Sequence, residues 1–112
     1  MLNIDRKSNK ITIINGDTGD FTLTVSNYEL TDGDYLYFTV KKDINDEEPV
    51  ISKEYTEFNK DGTCSIKLEV EDTKELEPGS YLYDVQVNLS DGRVDTILGP
   101  CKFIINKGIT DR

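Results

Sequence analysis

The sequence predicts an all-β fold, a single antiparallel sandwich of about seven strands. Three observations carry that prediction. Val, Ile, Thr, Tyr and Phe supply 39 of the 112 residues and alanine is absent, a balance that suits half-buried pleated surface and disfavours helix. Apolar and polar residues alternate in segments about 10 residues apart, separated by turns rich in Gly, Asp and Asn, which is sandwich patterning. Hydrophobic residues are only 36% against 31% charged, so the core is thin, as between two sheets about 10 Å apart. A chain of this length makes one domain, residues 1–112, with the packed part expected over residues 10–106 and mobile ends.

The elements follow in order. "ITII" (11–14) reads as the first strand and "NGDTGD" (15–20) as a turn. "FTLTVSN" (21–27) sets Phe21, Leu23 and Val25 on one face and Thr22, Thr24 and Ser26 on the other. After the turn "TDGD", the strand "YLYFTVKK" (35–42) places Leu36, Phe38 and Val40 opposite Tyr35, Tyr37 and Thr39. "VISKEYTEF" (50–58) is a weaker strand whose Lys and Glu mark it as an edge. "TCSIKLEV" (63–70) groups Cys64, Ile66, Leu68 and Val70, and "EDTKELEPG" (71–79) has helical propensity for one turn before Pro78 and Gly79 stop it.

The next strand places Tyr81, Tyr83, Val85, Val87 and Leu89 on one face and Leu82, Asp84, Gln86 and Asn88 on the other. The Asp-Gly of "SDGR" predicts a type I′ hairpin, with φ > 0 at both central positions. "VDTILGPCKFII" (94–105) returns. Its Gly99-Pro100 predicts a bulge, or an edge where the strand changes sheet.

The net charge of −9 argues against nucleic acid or anionic membrane as partner, since phosphate binding needs a cationic footprint. "MLNIDRKSNK" lacks the apolar core of a secretory signal, and no run of 18 apolar residues is present to span a membrane. Cytoplasmic synthesis is therefore expected. Cys64 and Cys101 each share a face with core residues and read as buried free thiols, a cross-sheet disulfide being the alternative.

No constellation points to catalysis, a cofactor or a metal. Histidine is absent, which excludes Ser-His-Asp and Cys-His chemistry. The acidic groups Asp17/Asp20, Asp32/Asp34 and Asp46/Glu47/Glu48 sit in turns, where Asp bonds its own backbone. No calcium-loop spacing accompanies them. "GDTGD" lacks the lysine of a phosphate loop. Tyr35 and Tyr37 read as a contact face for protein or, in the alternative, as a platform for sugar in a carbohydrate-binding sandwich.

"LEPGSYLYDVQV" resembles the lead-in to strand F of immunoglobulin-like and fibronectin-type sandwiches. There a Pro-Gly turn precedes a tyrosine whose hydroxyl satisfies the backbone of the corner. The resemblance implies that role for Tyr81, with Gly79 in the turn and Tyr83 in the core row. The core tryptophan and Cys pair of antibody domains are missing.

A wider resemblance covers residues 10–106. In order stand "ITIINGDTGDFTLTV", "LTDGDYLYFTVKK", "PVISK", "DGTCSIKLEVEDTKEL" and "PGSYLYDVQVNLSDGRVDTILGPCKFII". This series is similar to small structural proteins of tailed phages and prophages of Gram-positive bacteria, in particular the N-terminal β-sandwich domain of upper baseplate proteins. Gly16, Asp17, Thr18 and Gly19 match that family's element after the first strand. Tyr81, Tyr83, Asp84 and Val85 match its Y-x-Y-D strand, and Asp95, Thr96 and Ile97 its return strand. Baseplate proteins continue into a linker and fibre where this sequence stops at Arg112, so a free-standing accessory protein is the expectation.

The resemblance implies a non-enzymatic virion component of baseplate, tail, neck or head. It would act through contacts with other phage structural proteins and with its own copies. It would be made in the bacterial host cytoplasm and then carried in the virion. The expected contact surfaces are the Tyr35/Tyr37/Thr39 and Thr22/Thr24/Ser26 stripes and the edges near 50–58 and Pro100.

Overall fold

The computed structural model describes residues 2–25 and 28–110. Ser26, placed above in a contact stripe, and Asn27 lie outside the described residues. The elements are β1 (Asn3–Ile4), β2 (Ile11–Ile14), β3 (Gly19–Thr24), β4 (Tyr35–Lys41), β5 (Ile51–Tyr55), β6 (Thr63–Leu68), α1 (Val70–Thr73), β7 (Gly79–Asn88) and β8 (Val94–Asn106). The fold is all-β, as expected from the β-branched and aromatic content. Among the described residues there are eight strands rather than seven, because Asn3–Ile4 adds a short strand on β2.

Six strands form one mixed sheet in the order β1-β2-β8-β7-β4-β5, curled into a half-barrel, and β3-β6 form a second, antiparallel sheet. One pairing corrects the all-antiparallel expectation: β2 runs parallel to β8, with Ile11 opposite Phe103 and Ile13 opposite Ile105. Parallel neighbours need a long crossover. Here nearly the whole domain is that crossover, since the chain leaves β2 for the small sheet and returns as β8.

Alternation decides what is buried. Leu36, Phe38 and Val40 of β4, Cys64, Ile66 and Leu68 of β6, and Tyr81, Tyr83, Val85 and Val87 of β7 all point into one core. Phe38 lies at its centre, edge-on to Phe21 across the two sheets at 5.8 Å and tilted against Tyr83 at 5.5 Å. Cys64 is buried and Cys101 half-buried, and both are free thiols, so the disulfide alternative is not formed. Burial pushes the Cys64 thiol up, away from reactive thiolate.

α1 is the single turn expected before Pro78. The Asp72 carboxylate accepts from the Glu69 N–H at 2.7 Å and pairs with Lys53 of β5 at 2.8 Å. The buried Thr73 hydroxyl accepts the Gly16 N–H at 2.8 Å, tying α1 to the turn after β2.

Two hairpin features differ from expectation. The β7–β8 connection is not type I′. Asp91 has no positive φ, whereas Gly92 has φ 96°, and the Leu89 N–H donates to Arg93 O at 2.8 Å across a three-residue loop. Side chains select this geometry, for Asp91 accepts the Arg93 N–H at 3.0 Å and Asp34 accepts the Ser90 N–H at 2.8 Å. A loop closing on one left-handed glycine is the usual three-residue hairpin.

At Gly99-Pro100 the strand bulges but stays in the same sheet. Tyr83 faces Cys101, Val85 faces Leu98 and Gln86 faces Thr96, so β8 carries extra residues against β7. Gly99 is required there: its φ is +96° and a Cβ would lie 2.6 Å from Tyr83 O. Residues 94–102 of β8 have no partner strand on the side away from β7 among the described residues.

Candidate interaction surfaces

Tyr81 and Tyr83 both close the inner face with their hydroxyls. Tyr81 Oη donates to Glu77 O at 2.7 Å across the Pro78-Gly79 corner, and its ring carries Lys42 Nζ at 4.5 Å from the centroid. Tyr83 Oη donates to Asn9 O, which fastens the loop between β1 and β2. Burial raises both phenols, so neither titrates in the neutral range. Tyr81→Phe is expected to cost about 1 kcal/mol, the net worth of one partly buried hydrogen bond. Thermal unfolding of the variant checks it, and an unchanged midpoint would show that the corner needs no tie.

The predicted contact residues do not form one surface. Tyr35 and Tyr37 lie on the outer face of the large sheet, with rings 13° apart in plane and centroids 6.1 Å apart. Thr22 and Thr24 are exposed on the outer face of the small sheet, away from the large one. The acidic turns do turn chemistry where their bonds are defined. Asp34 accepts from Thr31 and Ser90, and Asp43 and Asp46 accept from Asn45 and Asp43 backbone N–H groups. Among the described residues no group of three or more His, Cys, Asp or Glu is placed to hold a metal.

A groove of ≈ 440 Å³ runs along the outer face of the large sheet. Register builds its floor: Tyr37 stands opposite Gln86, Thr39 opposite Asp84 and Lys41 opposite Leu82. Asn88 closes one end, and Ile44 and Pro100 form apolar walls. Asp84 is half-buried, and burial pushes its carboxyl up while Lys41 pulls it down. The Tyr37 phenol is raised by burial and by Glu54, to which it donates at 3.3 Å. Asn88 Oδ1 is closed off from solvent and has no hydrogen-bond partner among the described residues.

Sequence reasoning placed Asp84, Gln86 and Asn88 on one face without recognising a groove floor. The available signal was three successive hydrogen-bonding side chains on the outer row of a central strand.

The two flanks, where the small sheet meets the large one, differ. On one, Tyr55 of edge strand β5 accepts the Lys67 N–H of β6 at 3.0 Å and the Lys53–Asp72 pair adds a second link. On the other, β3 and residues 94–102 of β8 leave a gap lined by Leu23, Val25, Ile97 and Leu98. Tyr28 bridges part of it through a 2.6 Å bond to Asp95.

No family model, curated protein or solved structure matches the chain.

Proposed function

We propose that this domain is a non-enzymatic structural or accessory component of a phage or prophage virion, in baseplate, tail, neck or head, working through protein–protein contacts. The observation that carries this reading is strand edges that have no partner strand among the described residues, notably the outer side of β5 and residues 94–102 of β8. Unpaired backbone donors and acceptors at a sheet edge are ready partners for another chain, and repeated contacts of one kind close into rings. The ordered motif series over residues 10–106 supplies the virion context. The arrangement β1-β2-β8-β7-β4-β5 against β3-β6, with β2 parallel to β8, supports an immunoglobulin-like sandwich.

Two measurements test the reading. Light scattering after size exclusion is expected to show a defined trimer, hexamer or larger ring as concentration rises. Mass spectrometry of particles purified from the producing cell is expected to find the chain at a fixed ratio to the major virion proteins. A strict monomer that is also missing from particles would overturn it.

A further inference from the structure

We propose that the groove on the outer face of the large sheet is a binding site for a neutral saccharide. This goes beyond the assembly reading, which rests on strand edges, one of which borders the groove at Pro100.

The floor strands β4 and β7 each have neighbours on both sides, β5 and β7 for β4, and β4 and β8 for β7. Their backbone is committed to the sheet, so an added peptide strand would find no ladder there. Recognition must come from side chains. Those present are a hydroxyl (Thr39), a half-buried carboxylate (Asp84) and two amides (Gln86 and Asn88), with the Tyr37 ring beside them.

Three features narrow the ligand. Asp84 is a half-buried carboxylate in the floor, with the Thr39 hydroxyl directly opposite it and the Gln86 amide in the same row. Acceptors and donors in a row of that kind suit a ligand rich in hydroxyls, because half-buried polar atoms gain from being paired. Lys41 sits across from Leu82 and acts on Asp84, so the groove carries one charge of each sign and favours a neutral ligand. The apolar surfaces of Tyr37, Ile44 and Pro100 suit the C–H face of a pyranose ring. A groove of ≈ 440 Å³ falls within the roughly 300–1,000 Å³ of small-molecule sites.

The test is a ¹H–¹⁵N correlation titration of the full chain with cellobiose, maltose, lactose and N,N′-diacetylchitobiose, each to millimolar concentration. Saturable shifts are expected at the backbone amides of Tyr37, Thr39, Asp84 and Gln86 and at the side-chain amides of Gln86 and Asn88. Gln86→Ala should weaken the binding sugar about tenfold, the loss of one or two hydrogen bonds. Tyr37→Phe, which keeps the ring, should retain it. Each variant's dispersed spectrum shows that it is folded. Absence of saturable shifts with all four sugars would overturn the proposal, as would shifts that survive both Gln86→Ala and Tyr37→Ala. Concentration-dependent shifts at these residues without sugar would make the groove a contact between copies, also overturning it. Ring formation through β5 and β8 is read by light scattering without sugar, and sugar binding by shifts that appear only on adding sugar at fixed protein concentration, so the two readings fail separately.

Discussion

Phe38→Ala is expected to remove about 3–5 kcal/mol of stability, the usual cost of deleting a fully buried aromatic ring. Phe38 has no exposed surface and sits midway along β4, which has strands on both sides. Its ring meets Phe21 of the small sheet at 5.8 Å, Tyr83 of β7 at 5.5 Å and Phe103 of β8 at 6.3 Å. Truncation would therefore leave a cavity bounded by three other rings, in both layers at once. Strands on both sides of β4 hold its backbone in a ladder and limit collapse into that space, which places the cost at the upper end. Against a total of roughly 5–15 kcal/mol for a domain, such a loss leaves a marginal fold. Urea unfolding is the check: the midpoint should fall sharply while the slope, which tracks exposed surface, holds. Phe38→Leu should lose less because it refills part of the space. A loss under about 1 kcal/mol for alanine would mean that the two sheets are held together elsewhere.

The rows that surround Phe38 were the most legible part of the sequence. A period of two is strict in a strand, so Leu36/Phe38/Val40 and Tyr81/Tyr83/Val85/Val87 could be assigned to one buried face from spacing alone. Turn geometry was less legible. The Asp-Gly at 91–92 is compatible with more than one hairpin, and the choice rests on a bond from Ser90 to Asp34, 56 residues away in the chain. The parallel β2–β8 pairing was hidden for a related reason, since four residues of "ITII" contain no information about strand direction relative to a partner at residue 103.

The contact surfaces were legible only as stripes. Tyr35 and Tyr37 were correctly placed on one outer face, but sheet curvature, the Ile44 loop and the bulge at Gly99 decide that Tyr37, and not Tyr35, lines the groove. Curvature of that kind is a property of the assembled sheet. Likewise Asn3–Ile4 is too short to show alternation, and its place on β2 follows from the turn that Asp5 and Lys10 close with a 2.9 Å backbone bond.

The Asp34 carboxylate joins two turns, and Asp34→Ala is expected to cost roughly 3 kcal/mol, as charge-assisted bonds to backbone N–H groups are lost. Asp34 is 4% exposed. One oxygen accepts the Thr31 N–H at 2.9 Å and the other the Ser90 N–H at 2.8 Å, so it fixes the loop before β4 and the β7–β8 hairpin together. These bonds favour the ionised form and hold its carboxyl below the usual aspartate range, Thr31 acting first and Ser90 second. The folded state thus binds this proton more weakly than the unfolded state does. Its stabilisation is fully present above the ordinary aspartate pKa and is lost as pH falls through the lowered folded value. Denaturation of wild type and Asp34→Ala from about pH 7 to about pH 2 should show a gap that narrows toward acid. Asp91, which titrates low through its own bond from the Arg93 backbone, is present in both proteins and largely cancels. Asp34→Asn keeps one strong acceptor and no charge, so it should fall between the two and keep a nearly constant gap to Asp34→Ala. If the wild-type gap does not change with pH, the ionised carboxylate is not what holds the two turns, and packing around the hairpin is.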